Sequence, residues 1–271
     1  MIDPNTIVRQ VSEFGIAKLP NFLNYDEIET SLNMVKGKIK GTDSGQYGQY
    51  IPHNLKIILI KFLKLDFVRL KQGLEIRNMI RKRPQLKQIS DGIFKCKSRL
   101  AFVDGYCLKR GKEIFWHSDG ILKNSFKPDK LLIFIYLTKV SQDNGCMGYI
   151  SKSHKIMKQI KKGMIEKKIN IESKNRENLP LEGGNFSLDY LKKLILDRKN
   201  YEYLKENLED KKNLDDFITK IHSIEKNSNL DGAASEMNPG DAIIFDQSGI
   251  HGGSKITLNE RPILRFHFSR I

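Results

Sequence analysis

The chain has 271 residues, 39% of them hydrophobic and 29% charged, a balance typical of a folded globular protein rather than a disordered or membrane-spanning one. No apolar run approaches the roughly 20 residues that cross a bilayer, and the first fifteen residues lack the basic-then-apolar order of a secretory signal. Three cysteines (Cys96, Cys107 and Cys146) show no metal-ligand spacing, so we predict a reduced, cytoplasmic protein.

The formal net charge of +15 is distributed unevenly along the chain. Residues 1–116 carry 21 basic and 11 acidic groups, whereas residues 117–154 and 231–271, which hold the candidate chemistry, are almost neutral together. The excess has two interpretations: a solvated surface produced by lysine-rich codon usage, or a field that attracts anionic ligands.

The amino-terminal region alternates predicted helix and strand. "TIVRQVSEFG" has helical spacing, "IAKLP" is a short strand, and a second helix follows, capped by Asn24 or Asp26. A further helix is predicted from about Leu55 to Met79, where apolar residues recur at turn spacing between lysines. It is either a supporting helix with snorkelling lysines or a membrane-surface helix.

Short apolar runs bounded by turns follow from about Arg99: "RLAFVDGYCLKRG", "KLLIFIYLTKV", "GDAIIFD" and "RPILRFHFS". Strands at this spacing predict a sandwich or barrel, hence a mainly β fold with flanking helices. Residues 155–230, between the second and third runs, have a helical and charge-mixed pattern. We predict one domain over residues 1–271 with a helical insertion at 155–230 that acts as a lid.

The stretch "FWHSDG" places His117 and Asp119 two positions apart, which puts both side chains on one face of a strand. An Fe(II) ion that activates oxygen needs hard or borderline ligands on one face and open positions opposite, and two imidazoles with one carboxylate meet this need. The second imidazole must come from a distant strand. His251 follows the turn and strand "NPGDAIIFDQSGI" and is the best candidate. The other histidines have other expected roles: surface for His53 and His222, a turn cap for His154 and a core or lining position for His267.

Arg261 and Arg265 follow His251 and project to the same face of the last strand. A guanidinium at this place can form the bidentate pair that the distal carboxylate of a dicarboxylic acid requires. The alternative for either arginine is an edge or surface position.

The combined motifs resemble the phytanoyl-CoA dioxygenase family of Fe(II)/2-oxoglutarate oxygenases. The segments that carry the resemblance are "FWHSDG", "IYLTKVSQDNGCMGYISKSHK", "NPGDAIIFDQSGIHGGS" and "NERPILRFHF", together with the amino-terminal "FGIAKLPNFLNYDEIETSL". The family shows W-H-x-D, N-G, a G-S-H-K-like turn and H-G-S. In this chain Lys152 occupies the position of the glycine that usually precedes Ser-His, and Gly253 is an extra glycine after His251.

The resemblance implies a double-stranded β-helix (jelly roll, cupin-like) core. It also implies Fe(2+) held by three ligands, with 2-oxoglutarate and O2 as cosubstrates; the ligands are His117, Asp119 and His251. The family's 2-oxoglutarate arginine directly follows a proline, where this chain has Ile263 after Pro262, so the choice lies between Arg261 and Arg265. We favour Arg261. We further assign Tyr106 (alternatively a core tyrosine) and Ser254 to the cosubstrate site, and Arg265 and Asn144 to the substrate site.

These features predict a dioxygenase that hydroxylates a C–H bond of a small-molecule metabolite. Asp119 argues against a halogenase, in which chloride replaces the carboxylate. The R-x5-R signature of oxidative nucleic-acid demethylases is absent, so we expect no nucleic-acid partner. A non-catalytic binding protein on the same scaffold is the remaining alternative. Basic residues at the start of the insertion predict either a lid that attracts an anionic substrate or a solvated helix: Lys161, Lys162, Lys167 and Lys168.

Overall fold

The computed structural model describes residues 3–36, 75, 78–119, 130–169, 186–226, 236–258 and 260–271. Helix α1 (Pro4–Phe14), strand β1 (Ile16–Leu19) and helix α2 (Tyr25–Lys36) follow the predicted order. Asp3 caps α1, because its side chain accepts hydrogen bonds from the backbone N–H groups of Asn5 and Thr6. At the start of α2, Asn24 accepts from the backbone N–H of Glu27. The helix predicted from about Leu55 to Met79 lies almost entirely outside the described residues.

Nine strands of the described chain form two sheets, in which every pairing is antiparallel. After helix α3 (Gln85–Phe94), the strands and their bounds in chain order are β2 (Ser98–Leu108), β3 (Ile114–Ser118), β4 (Leu131–Tyr136), β5 (Met147–Tyr149), β6 (Phe186–Ser187), β7 (Ala242–Asp246), β8 (His251–Gly253) and β9 (Arg261–Arg270). The larger sheet has the order β1-β7-β4-β9-β2, and the smaller has the order β5-β8-β3-β6.

The four apolar runs predicted as strands are β2, β4, β7 and β9, and all four lie in the larger sheet. Each residue of β4 and β7 is buried, because this sheet is covered on both faces. Residues of α1, α2, α3 and both sheets share one core, in which Tyr149 of β5 packs edge-on against Phe245 of β7. The sheets therefore enclose a common interior.

The segment predicted as a helical insertion contains α4 (Ser153–Ile165), which begins two residues before it, α5 (Leu188–Leu196), α6 (Arg198–Asn207) and α7 (Lys211–Lys226). They bury a second apolar cluster that includes Ile150 and Ile250. Trp116 of β3 is partly buried against both clusters, so it joins the insertion to the sheets. No helix among the described residues combines the length and apolar character that crossing a bilayer requires.

The insertion also contributes one structural feature that its sequence pattern does not predict. Strand β6 has only two residues, yet it pairs with β3, where Ser187 lies opposite His117. The segment that we expected to be mainly helical therefore also extends the smaller sheet beside a candidate metal ligand.

Candidate metal centre

The pairing of β3 with β8 brings two predicted ligands together across 134 residues of sequence. His117 lies directly opposite His251 in the ladder, and their ring centroids are 4.4 Å apart. The register shifts by one residue between Ile114 and His117, which marks a β-bulge. Bulges re-aim side chains near functional sites, and here the register downstream of the bulge sets His117 against His251.

Both imidazole rings are held by the same local hydrogen bond. Nδ1 of His117 lies 2.6 Å from the carbonyl oxygen of Phe115, and Nδ1 of His251 lies 2.9 Å from that of Gly249. A carbonyl oxygen can only accept, so each Nδ1 carries a proton and each Nε2 is the nitrogen that faces Asp119. A backbone carbonyl thus orients both rings so that Nε2 is available as the metal ligand.

Asp119 completes the cluster immediately after β3. Its Oδ1 lies 3.4 Å from His117 Nε2, and its Oδ2 lies 3.7 Å from His251 Nε2. One donor atom from each of the three residues lies within 4.8 Å of the others. Donors about 2.1 Å from an ion and at right angles to one another are about 3.0 Å apart, and the two distances from Asp119, 3.4 and 3.7 Å, are each less than 1 Å longer than this.

The electrostatics of the cluster favour a cation. Burial raises the pKa of the Asp119 carboxyl, but the hydrogen bond with His117, the charges of both histidines and a hydrogen bond from Gln247 outweigh it, and the net pKa is lowered. Burial and the neighbouring His117 lower the pKa of His251 to about 4. The site therefore offers an anionic carboxylate and an imidazole that stays neutral near pH 7. Two imidazoles and one carboxylate on one face suit a non-haem iron.

Arg261 is buried beside the strand that carries His251. Its Nη1 donates a hydrogen bond to the carbonyl oxygen of Gly145, while its Nε is buried and has no partner. A Cβ on Gly253 would lie 3.4 Å from this Nη1 and 3.4 Å from Cβ of Ile114, so the glycine leaves open a space that a larger side chain would enter. Among the described residues, no carboxylate forms an ion pair with Arg261. An incompletely bonded guanidinium can accept an anion.

Arg265 has a different environment, although it shares a strand face with Arg261. Asp104 lies opposite it on β2 and forms a two-point pair, with distances of 2.8 Å to Nε and 2.5 Å to Nη2. Its guanidinium also lies 4.6 Å from the ring centroid of Tyr106. Oδ1 of the same Asp104 lies 3.1 Å from Nε2 of His267. The charge of Arg265 is therefore already balanced within the chain.

The structure also gives the environments of the other predicted binding residues, Tyr106, Ser254 and Asn144. Tyr106 is buried and packs edge-on against Phe134, at a centroid distance of 6.3 Å. The hydroxyl of Ser254 lies 3.8 Å from Sγ of Cys146. The side-chain oxygen of Asn144 accepts a hydrogen bond from the backbone N–H of Leu258. Their roles toward a cosubstrate or a substrate remain predictions.

The lysines predicted to cover the iron are near the carboxyl end of α4. Lys162 and Glu166 pair at the surface, 3.9 Å apart, and Gly163 faces Tyr203 of α6. The opposite end of α4 is the one that touches the metal strands, because Ser153 Oγ accepts the N–H of Ile250. The basic lid remains a prediction. His154 was expected to cap a turn. It lies in the first turn of α4, where its Nε2 is 3.2 Å from the carbonyl oxygen of Ser12.

Three residues of the site were not recognised in the sequence. Gln247 hydrogen-bonds Asp119, Asp104 pairs with Arg265, and Tyr136 is fully buried near Arg261. The alternation in "FVDGY" places Asp104 and Tyr106 on one strand face, so it contained a signal for Asp104. Gln247 had none, because its contact depends on how two distant strands meet.

Two antiparallel sheets that enclose a pair of histidines and an aspartate define the class of mononuclear non-haem iron enzymes. Within this class, the family model of phytanoyl-CoA dioxygenase (PhyH) matches residues 108–261, more than half of the chain. The chain belongs to the phytanoyl-CoA dioxygenase family and is an iron- and 2-oxoglutarate-dependent enzyme. The resemblance seen in the motifs is thus confirmed.

Solved structures of similar fold cover almost the whole chain. The epimerase SnoN from nogalamycin biosynthesis, in complex with Fe3+, α-ketoglutarate and nogalamycin RO, has a TM-score of 0.55 at 11% identity, covering 98% of this chain and 83% of its own. The carbocyclase SnoK from nogalamycin biosynthesis gives 0.53 at 14%, with coverages of 98% and 83%. HygX from Streptomyces hygroscopicus, with nickel and 2-oxoglutarate bound, gives 0.52 at 10%, with coverages of 100% and 87%. At these identities the similarity concerns the fold. No curated protein sequence matches the chain.

Proposed function

We propose that this protein hydroxylates a C–H bond of a small-molecule metabolite, using Fe(II), O2 and 2-oxoglutarate and releasing succinate and CO2. The observation that carries the proposal is the matched orientation of His117 and His251, whose Nε2 atoms both face Asp119 while backbone carbonyls hold both Nδ1 protons. These three residues would hold the iron. The proposed scaffold is the family's double-stranded β-helix, in a single domain with a helical insertion at 155–230.

The bound iron and 2-oxoglutarate would supply the oxidant that removes hydrogen from the substrate. The chain's own contribution is placement and exclusion of water. Asp119 would offset part of the metal's charge, and the two imidazoles would complete the protein's ligand set beside the cosubstrate. We assign the cytoplasm as the location and expect neither a nucleic-acid partner nor a membrane-spanning segment.

Arg261 is the residue proposed to hold the distal carboxylate of 2-oxoglutarate. Its Nε lacks a partner, and its guanidinium flanks Gly253, two residues beyond His251. Two residues of β-strand span about 7 Å, a length that a five-carbon dicarboxylate bound at the iron can bridge. Arg265 is less suited, since Asp104 already occupies it at two points. Tyr106 and Ser254 remain proposed cosubstrate contacts, and Arg265 and Asn144 proposed substrate contacts.

The test is a metabolite screen for substrate-stimulated succinate formation by the purified protein with Fe(II) and 2-oxoglutarate. Asp119→Ala should abolish the activity and lower the iron content. Arg261→Ala should weaken 2-oxoglutarate binding strongly, since truncating one half of a buried charge pair costs about 2–5 kcal/mol. Normal turnover and iron content in Asp119→Ala would contradict the metal assignment. If Arg265→Ala weakens cosubstrate binding and Arg261→Ala does not, the two arginines have the reverse roles.

A further inference from the structure

Gln247 contacts the candidate ligand Asp119 through both its side chain and its backbone. It is the first residue after β7, and its Nε2 donates a hydrogen bond to Oδ2 of Asp119. Its carbonyl oxygen accepts the N–H of Asp119, with a distance of 3.4 Å between nitrogen and oxygen. Its own N–H donates to the carbonyl oxygen of Lys130 at 2.9 Å. The two strand ends that meet at the metal cluster are thus joined through this residue.

The hydrogen bond distinguishes the two oxygens of the carboxylate. Oδ1 lies 3.4 Å from His117 Nε2 and Oδ2 lies 3.7 Å from His251 Nε2, but Oδ2 alone accepts a hydrogen bond from the amide of Gln247. The orientation of the amide follows from chemistry, because a carboxylate oxygen repels Oε1 and attracts N–H. Oε1 of Gln247 is consequently turned away from Asp119, where it is buried without a partner. The contact with Asp119 therefore determines the orientation of the amide.

We propose that Gln247 is a positioning residue that keeps Asp119 a one-oxygen metal ligand and so preserves the open positions of the iron. A carboxylate can bind a metal through one oxygen or both. If the ion had six positions, the three protein ligands would leave three for the cosubstrate and oxygen. A second oxygen from Asp119 would take one of those three. This inference rests on the proposed function.

The inference predicts that loss of the Gln247 amide weakens the binding of the cosubstrate but not the binding of the metal. Gln247→Met keeps the length of the side chain and removes the donor, so Oδ2 of Asp119 becomes free to ligate. Binding of Ni(II), used as a stable substitute for Fe(II), should stay within about threefold of wild type or become tighter. Binding of 2-oxoglutarate to the Ni(II)-loaded protein should weaken at least tenfold. A role in folding alone would weaken both by a similar factor or neither.

The experiment is calorimetric titration of the apoprotein with Ni(II), followed by titration of the loaded protein with 2-oxoglutarate. The matched control is Gln159→Met on α4, whose amide donates to the Tyr203 hydroxyl at 3.0 Å within the insertion; it should match wild type in both titrations. Equal 2-oxoglutarate affinity in Gln247→Met and wild type, or parallel loss of both ligands, would overturn the inference. If the wild-type protein takes up Ni(II) but no 2-oxoglutarate, the proposed function fails, and with it the inference.

Discussion

Lys158 on α4 should anchor the helical insertion through an ion pair with a buried aspartate. Its Nζ lies 2.6 Å from Oδ2 of Asp246, whose side chain is 4% exposed. The other oxygen of Asp246 accepts hydrogen bonds from the backbone N–H and the hydroxyl of Ser248, so the carboxylate is fully engaged. Burial raises the pKa of Asp246, but the charge and hydrogen bond of Lys158, together with the other polar neighbours, outweigh it, and the net pKa is lowered.

Lys158→Met should leave this carboxylate buried without its cation. Removing one partner of a buried pair costs about 3–5 kcal/mol. The lower end applies here, because the lysine side chain is 42% exposed and water can partly replace it. We therefore expect the free energy of unfolding to fall by about 3 kcal/mol. In an Asp246→Asn background the same substitution should cost much less, since no buried charge remains to be balanced.

Urea unfolding of the two single variants and the double variant, at pH 7.5, measures this coupling. Lys162→Met is the matched control, because Lys162 lies one turn further along α4 and forms a surface pair with Glu166. It should change stability by less than about 1 kcal/mol. A cost below about 0.5 kcal/mol for Lys158→Met, or an equal cost in both backgrounds, would refute the reasoning.

Three further predictions concern the backbone, acid stability and the cosubstrate space. Lys152 has φ = 64°, a left-handed conformation that costs a non-glycine residue about 1–2 kcal/mol, so Lys152→Gly should not lower the melting temperature, whereas the β-branched Lys152→Val should. Burial lowers the pKa of His154 to about 4 in the folded protein, so the unfolded chain binds the extra proton between pH 6.5 and 4. The free energy of unfolding should then fall by about 2–3 kcal/mol from pH 7.5 to 4.5 because of this residue, and His154→Asn should remove that part of the slope in urea titrations; an unchanged slope would count against it. Gly253→Val should weaken 2-oxoglutarate binding to the Ni(II)-loaded protein at least tenfold, because the added methyl groups enter the space between Ile114 and Arg261. Gly253→Ala, whose Cβ makes only ordinary contacts at 3.4 Å, should bind within a few fold of wild type. Equal binding by both variants would show that 2-oxoglutarate does not use this space.

The parts of the fold predicted from the sequence are those with a local signal. β4 and β7 are continuous apolar runs and β9 a largely apolar one, so composition and length sufficed for them. His117, Asp119 and His251 came from local motifs, and the structure places them together. β6 was missed because a two-residue strand has no period, and it exists only through its pairing with β3.

Contacts between side chains distant in sequence had no comparable signal. Lys158 and Asp246 are 88 residues apart, and Gln247 and Asp119 are 128 apart. A lysine on an amphipathic helix and a glutamine after a strand are both compatible with a solvated surface. Only the packing of α4 against the end of β7, and the meeting of β7 with β3, gives them partners. The turn at Lys152 was predicted only in part. The sequence showed that a lysine replaces the family's usual glycine, and the positive φ of Lys152 now explains why a glycine suits the position.

The choice between Arg261 and Arg265 shows most clearly what the structure adds. Spacing places both on one face of β9, and both guanidinium groups lie in the interior between the sheets, so periodicity alone cannot separate them. The difference comes from the facing strand: in the β2–β9 ladder Asp104 stands opposite Arg265, whereas Arg261 stands opposite Leu108. The charge of an arginine already paired at two points is largely balanced, so it attracts an incoming dicarboxylate only weakly. Breaking that pair would leave the Asp104 carboxylate buried without a cation. Arg261 requires no such exchange, because its Nε has no partner to lose. The partner on the neighbouring strand, rather than the distance from His251 along the chain, is therefore the basis on which we propose Arg261 for the cosubstrate.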